Sequence, residues 1–169
     1  AKPVILDPST YDEGLIYTVK NAKFYKDFKD TGLDEKEMKY PFESQKAFIL
    51  MKVSIKNESS IGQYSDGSVN VATLYLLDRT CEEDPNQNLE NTPEDLERLI
   101  PGCCYFQEHG DGDDYWHTLV EIGEEKTFHF GFSVPVDSQE EAEQYLITWV
   151  GLKEVSGDIP FVPEGSDKS

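Results

Sequence analysis

"KAFILMKVSIKNES" (Lys46 to Ser59) and "GEEKTFHFGFSVP" (Gly123 to Pro135) decide the fold class. In the first, Ile49, Met51, Val53 and Ile55 share one parity while Lys52, Ser54 and Lys56 share the other. In the second, Phe128, Phe130, Phe132 and Val134 alternate with Thr127, His129, Gly131 and Ser133. A repeat of two belongs to an extended chain, whose successive side chains point to opposite faces. Both stretches therefore read as strands with one face in a core, and their β-branched and aromatic content agrees.

The same pattern extends outward. "LIYTVKNAKFY" (Leu15 to Tyr25) reads as an earlier strand, and "SVNVATLYLLD" (Ser68 to Asp78), apolar on both faces, as a central one after the turn "YSDGS". "YWHTLVEI" (Tyr115 to Ile122) reads as a strand meeting the next at Gly123, and "YLITWVGLKEV" (Tyr145 to Val155) as the last, with Tyr145, Ile147 and Trp149 on one face. The expected core includes Met51, Val53, Phe128, Phe130, Phe132 and Trp149. Two helical signals interrupt the strands. "TPEDLERLIPG" has Thr92 as N-cap, Pro93 at the first helical position and a stripe of Leu96, Leu99 and Ile100; Ser138 and Glu141 have capping-box spacing. Strands without βαβ alternation predict an all-β chain: an antiparallel β-sandwich with one or two short helical insertions.

The length of 169 residues suits one domain that buries its own core. Its 15 Lys and Arg against 34 Asp and Glu leave a net charge of −19, a field that repels phosphate backbones and anionic headgroups and argues against a nucleic-acid partner. The sequence contains no apolar run of about 18 residues and so no membrane-spanning helix. Its beginning, Ala-Lys-Pro without Met, is what remains when a leader and a linker are trimmed away, whether by processing or by design, and export is the expectation it raises. The polar ends read as a flexible segment over 1–14 and a tail over 157–169.

The order of "YTVKNAKFY", "KAFILMKVSIKNESS" with its strand ending at Asn57, and "VEIGEEKTFHFGFSVP" resembles the DUF4352-type family of bacterial secreted immunoglobulin-like domains, related to the mycobacterial immunoprotective antigen fold. The resemblance runs roughly from Ile16 to Val150, and its most specific part is the strand that Gly123 and Glu124 open and Val134 and Pro135 close. It implies an immunoglobulin-like domain over 15–156, located extracellularly or at the cell surface as a lipoprotein ectodomain, and it supplies no catalytic site. Any membrane contact would run through a lipid anchor outside this chain. The stretch of about 81–114 is a long insertion relative to that pattern.

Candidate sites are few. "EHGDGDDYWH" (Glu108 to His117) gathers Glu108, Asp111, Asp113 and Asp114, which together with backbone carbonyls supply part of the roughly six to eight oxygens that calcium takes. Its acids do not follow the EF-hand spacing, and the plainer reading is a solvated acidic loop in which Gly110 and Gly112 take positive φ. A transition metal would need His109 and His117 to converge from opposite ends of that loop. Cys81 is expected to bridge Cys103 or Cys104 in an exported protein, with three reduced thiols as the alternative. A zinc site from the thiols and His109 lacks any C-x-x-C spacing. Tyr64, Tyr105, Tyr115 and Trp116 are candidates for stacking on a sugar or anchoring a protein, against the reading in which Trp116 caps the core. The leading function is a noncatalytic module at the cell surface that binds a protein or carbohydrate and needs no cofactor. The alternatives are a calcium-dependent binding module and a secreted hydrolase in which a cysteine and His117 cooperate.

Overall fold

The computed structural model describes residues 4–6, 14–39, 47–62, 64–72, 74–78, 101–149 and 155–163. It is mostly β-strand in antiparallel sheets with little helix, as the period-2 stretches predict. The strands are β1 (Val4–Leu6), β2 (Leu15–Tyr25), β3 (Ala47–Asn57), β4 (Val69–Asn70), β5 (Leu74–Asp78), β6 (Cys103–Phe106), β7 (His117–Thr118), β8 (Glu125–Val134), β9 (Tyr145–Trp149) and β10 (Val155–Asp158). They form a five-stranded sheet in the order β1-β2-β3-β8-β6, a three-stranded sheet in the order β10-β9-β5, and the short ribbon β4-β7.

The long antiparallel pairs set the core. Met51 faces Phe130 and Val53 faces Phe128 across the β3-β8 ladder, so the two stretches that fix the fold class lie side by side in register. Phe128, Phe130, Phe132 and Val134 are buried and share one core with Tyr17, Val19, Ile49, Met51, Val53 and Ile55. Leu74 and Leu76 from β5, with Tyr145 and Ile147 from β9, join the same core, so the three- and five-stranded sheets both contribute to it. Strand β2 changes parity partway: its register with β3 slips between Val19 and Asn21, leaving Lys20 exposed and returning Ala22 to the core side. An extra residue on one strand is how a bulge re-aims a side chain.

The opposite face of the large sheet is not simply solvated. Phe48, on the outer side of β3, packs with Phe28, Met38, Cys104 and Tyr105 in a second buried cluster, and Phe28 meets it edge-on at a centroid distance of 5.2 Å. The 3-10 turns Phe28–Thr31 and Glu35–Glu37 carry Phe28 and position Met38 over that face. Asp27 and Asp34 cap them, the latter through a full capping box with Glu37. β3 is therefore buried on both sides near its start; farther along, its outer face is partly buried at Leu50 and Lys52, buried at Ser54 and exposed at Lys56.

Several boundaries differ from the sequence reading. Residues 68–78 are not one strand: the chain turns after Asn70, whose side-chain oxygen accepts from the Ala72 amide at 2.8 Å, and β4 pairs with β7 while β5 pairs with β9. An Asn closing its own turn offers the backbone an alternative to the ladder. In the "YWHTLVEI" stretch only His117 and Thr118 are strand. The segment before Leu15 is not wholly loose, because Val4–Leu6 pairs with residues 17–19 of β2. The polar tail is likewise corrected: Ala22 donates to the Pro160 carbonyl and accepts from the Val162 amide, and Ile159 is buried. Nor is 81–114 all insertion, since Cys103–Phe106 is the edge strand β6 of the large sheet. The helix expected over 92–100 lies outside the described residues, as do Cys81 and the Trp149 side chain. The short helix α1 (Gln139–Ala142) forms where expected, with the Ser138 hydroxyl accepting from the Glu141 amide at 3.2 Å.

Candidate functional site

The acidic loop is held by an aromatic post. Tyr115 is buried, its hydroxyl donates to the Glu37 carbonyl and accepts from the Phe106 amide at 3.2 Å, and its own carbonyl accepts from the Gly110 amide. His109 lies flat on the Tyr115 ring, centroids 4.7 Å apart and 8° from parallel. Lys39 approaches that ring at 5.9 Å and donates to the Gly112 carbonyl at 2.9 Å, bringing a cation from the Glu35–Glu37 turn to the acidic loop. Burial pushes the Tyr115 hydroxyl well above its ordinary pKa, which keeps it a donor.

Asp111, Asp113 and Asp114 stay exposed at this turn, and Asp114 pairs with His117 at 3.2 Å. His109 and His117 do not converge: the first stacks on Tyr115 and the second on Tyr64. No group of three or more His, Cys, Asp or Glu able to hold a metal forms among the described residues. Of the two glycines, only Gly112 takes positive φ, at 55°. Gly110 is needed for a different reason, because a β-carbon there would lie 2.7 Å from the Asp114 carbonyl oxygen.

Adjacent Cys103 and Cys104 face opposite sides of β6. Cys103 opposes Phe132 in the main core, while a bulge sets Cys104 and Tyr105 together against Gly131 and turns both toward the outer cluster. Both thiols are buried and free, and Cys81 lies outside the described residues. Burial pushes the Cys104 thiol from 9.0 up to about 11, and pushes Cys103 well up, with Cys104 beside it adding to the shift. The Cys103 thiol donates to the Tyr105 carbonyl at 3.3 Å. A cysteine nucleophile works as the thiolate, and burial here favours the protonated thiol at both positions.

Of the four candidate binding aromatics, the structure buries Tyr105, Tyr115 and Trp116 and leaves Tyr64 exposed. Trp116 lines the core beside Phe106, at 6.3 Å between centroids, and its indole N–H has no hydrogen-bond partner among the described residues. These three rings are corrected from contact surface to framework, because the 34–39 turn and the main core cover them. Tyr64 stacks on His117 at 3.9 Å and accepts from the Asn70 amide group at 3.3 Å.

Around Tyr64 lies a surface that the sequence reading did not single out. The exposed large hydrophobics among the described residues are Ile61 at 86%, Ile122 at 58%, Leu119 at 45% and Tyr64 at 39% exposure, all on two connections, 58–68 and 119–124. These connections meet at one end of the large sheet, where β3 ends and β8 begins with Lys56 opposite Glu125. Buried Asn57 ties them: its side-chain amide donates to the Ser60 carbonyl at 2.8 Å and the Val120 carbonyl at 2.7 Å, and its oxygen accepts from the Ser60 amide at 2.7 Å. Lys126 donates to the Leu119 carbonyl at 2.8 Å and pairs with Glu124 at 3.7 Å. The hydroxyl and amide of Ser68 bond Asp66 and hold its carboxyl below the usual range, closing the Tyr64–Ser68 turn. A strand pattern through residues 115–122 assigns alternate residues inward. Here the strand stops at Thr118, so Val120 is buried while Leu119 and Ile122 face water.

The chain matches no family model, no curated protein and no solved structure. No helix among the described residues is long and apolar enough to cross a membrane.

Proposed function

We propose that this chain is an immunoglobulin-like β-sandwich of the DUF4352 type, acting as a noncatalytic binding module at the cell surface. Its contact surface is the loop end presenting Ile61, Tyr64, Leu119 and Ile122. The concentration of exposed apolar side chains on that single end carries the reading. Scattered single hydrophobics need no explanation, whereas a cluster on connections tied together by a buried Asn is the form a recognition surface takes. The shared core of the three- and five-stranded sheets supports the sandwich, and the order of the β2, β3 and β8 stretches supports the family.

Photo-crosslinking tests the surface. A photoreactive residue placed at Ile61 or Ile122 should give a discrete covalent adduct on intact cells. The same residue at Glu140, on α1 beyond the opposite end of β8, should give none. Equal labelling at all three positions, or at none, would overturn the assignment.

A further inference from the structure

The charges around the apolar end define what it accepts. Glu58, Asp66, Glu121, Glu124 and Glu125 lie on or beside the two connections, and 58–68 and 119–125 contain no Lys or Arg. The nearest cations flank them, Lys56 and Lys126, and Lys126 is already engaged with Glu124 and the Leu119 carbonyl. The Glu58 and Glu121 carboxylates are exposed and form no ion pair among the described residues. An apolar centre within a rim where acids outnumber the flanking Lys56 and Lys126 favours a partner of opposite sign, since like charges brought together at a rim are repelled. A second copy of this chain would set acid against acid, and an anionic lipid surface would meet the field of a protein with net charge −19.

Resting on the reading of this end as the contact surface, we infer that it docks a cationic amphipathic polypeptide segment, one that sets apolar side chains on Ile61, Leu119 and Ile122 and Lys or Arg against Glu58 and Glu121. The first group supplies burial and the second supplies orientation and encounter rate.

The test is an NMR titration of the whole chain with three helical peptides of the same Leu spacing, carrying Lys, Ser or Glu on the polar face, and with vesicles of phosphatidylglycerol. The Lys peptide should shift the amide signals of 58–68 and 119–125, bind at least about tenfold tighter than the Glu peptide, and weaken as salt rises. The E58Q/E121Q double variant should weaken it about fivefold, as expected for two rim charges, whereas E140Q/E141Q, the same change in net charge elsewhere, should not. Ile61→Ser with Ile122→Ser should abolish the localised shifts with an unchanged melting curve. Equal, salt-independent binding of the Ser and Lys peptides would overturn the cationic partner while leaving the contact surface standing. Position-specific crosslinks with no response to any peptide would overturn it too. Loss of adducts at Ile61 and Ile122 would remove the underlying reading, and shifts with vesicles alone would replace the polypeptide by a membrane.

Discussion

Phe48 covers Gly131 so closely that a β-carbon at Gly131 would come within 2.7 Å of the Phe48 Cε1 and 2.9 Å of the Tyr105 Cβ. This glycine sits opposite the bulge of β6, where two residues face one, and its missing side chain lets Phe48 and Tyr105 meet over the outer face. Gly131→Ala should therefore overpack the outer cluster and cost about 1–3 kcal/mol in urea unfolding. Phe48→Leu in the same background should recover part of that loss, and a double-mutant cycle with no coupling would dissociate the two residues.

Phe130 is fully buried between Met51 across the ladder and Phe106, whose ring stacks on it at 5.1 Å. Phe130→Ala should cost about 3–5 kcal/mol, the range for deleting a buried aromatic. An unfolding midpoint equal to that of the parent would place Phe130 outside the core.

Asn57→Ala should cost about 1–3 kcal/mol, because it strips partners from the Ser60 amide and from two carbonyls. Asn57→Asp should be at least as damaging: it keeps the acceptor, loses both donated bonds and buries a charge. Amide hydrogen exchange over 58–68 and 119–124 should accelerate in both variants. Protection unchanged from the parent would show that Asn57 does not brace the apolar end.

Alkaline pH should destabilise the fold. Burial raises the Cys104 thiol from 9.0 to about 11, so above the first value the unfolded chain has lost a proton that the folded chain keeps. The stabilisation it contributes is complete below the unfolded value and is lost as pH rises toward the folded one, with a slope of at most about 1.4 kcal/mol per pH unit. Buried Tyr115, raised from 10.0, adds with the same sign at higher pH. Unfolding free energies between these limits should fall less steeply in Cys104→Ala, and equal slopes would assign the loss to other groups. Both described thiols should also resist an aromatic disulfide reagent at pH 8 until urea is added, whereas prompt reaction would show that β6 opens readily.

The all-β class, the β3 and β8 strands, the inward Phe128, Phe130 and Phe132 and the Ser138 cap were legible in the sequence because each is a local property. Side-chain parity follows from extended backbone alone, and a cap needs only its own turn. What needed the tertiary structure involves partners far along the chain. Tyr115 reads equally well as exposed or buried until its hydroxyl is seen to reach the Glu37 carbonyl, 78 residues away. Cys103 to Phe106 reads as part of an insertion until its bulge docks on Gly131. Ile61, Leu119 and Ile122 look unremarkable in separate loops, and the two connections that carry them come together because Asn57 bonds both at once. Periodicity determines which way a side chain points along a regular strand, whereas its cover in an irregular turn is set by whichever distant segment folds over it.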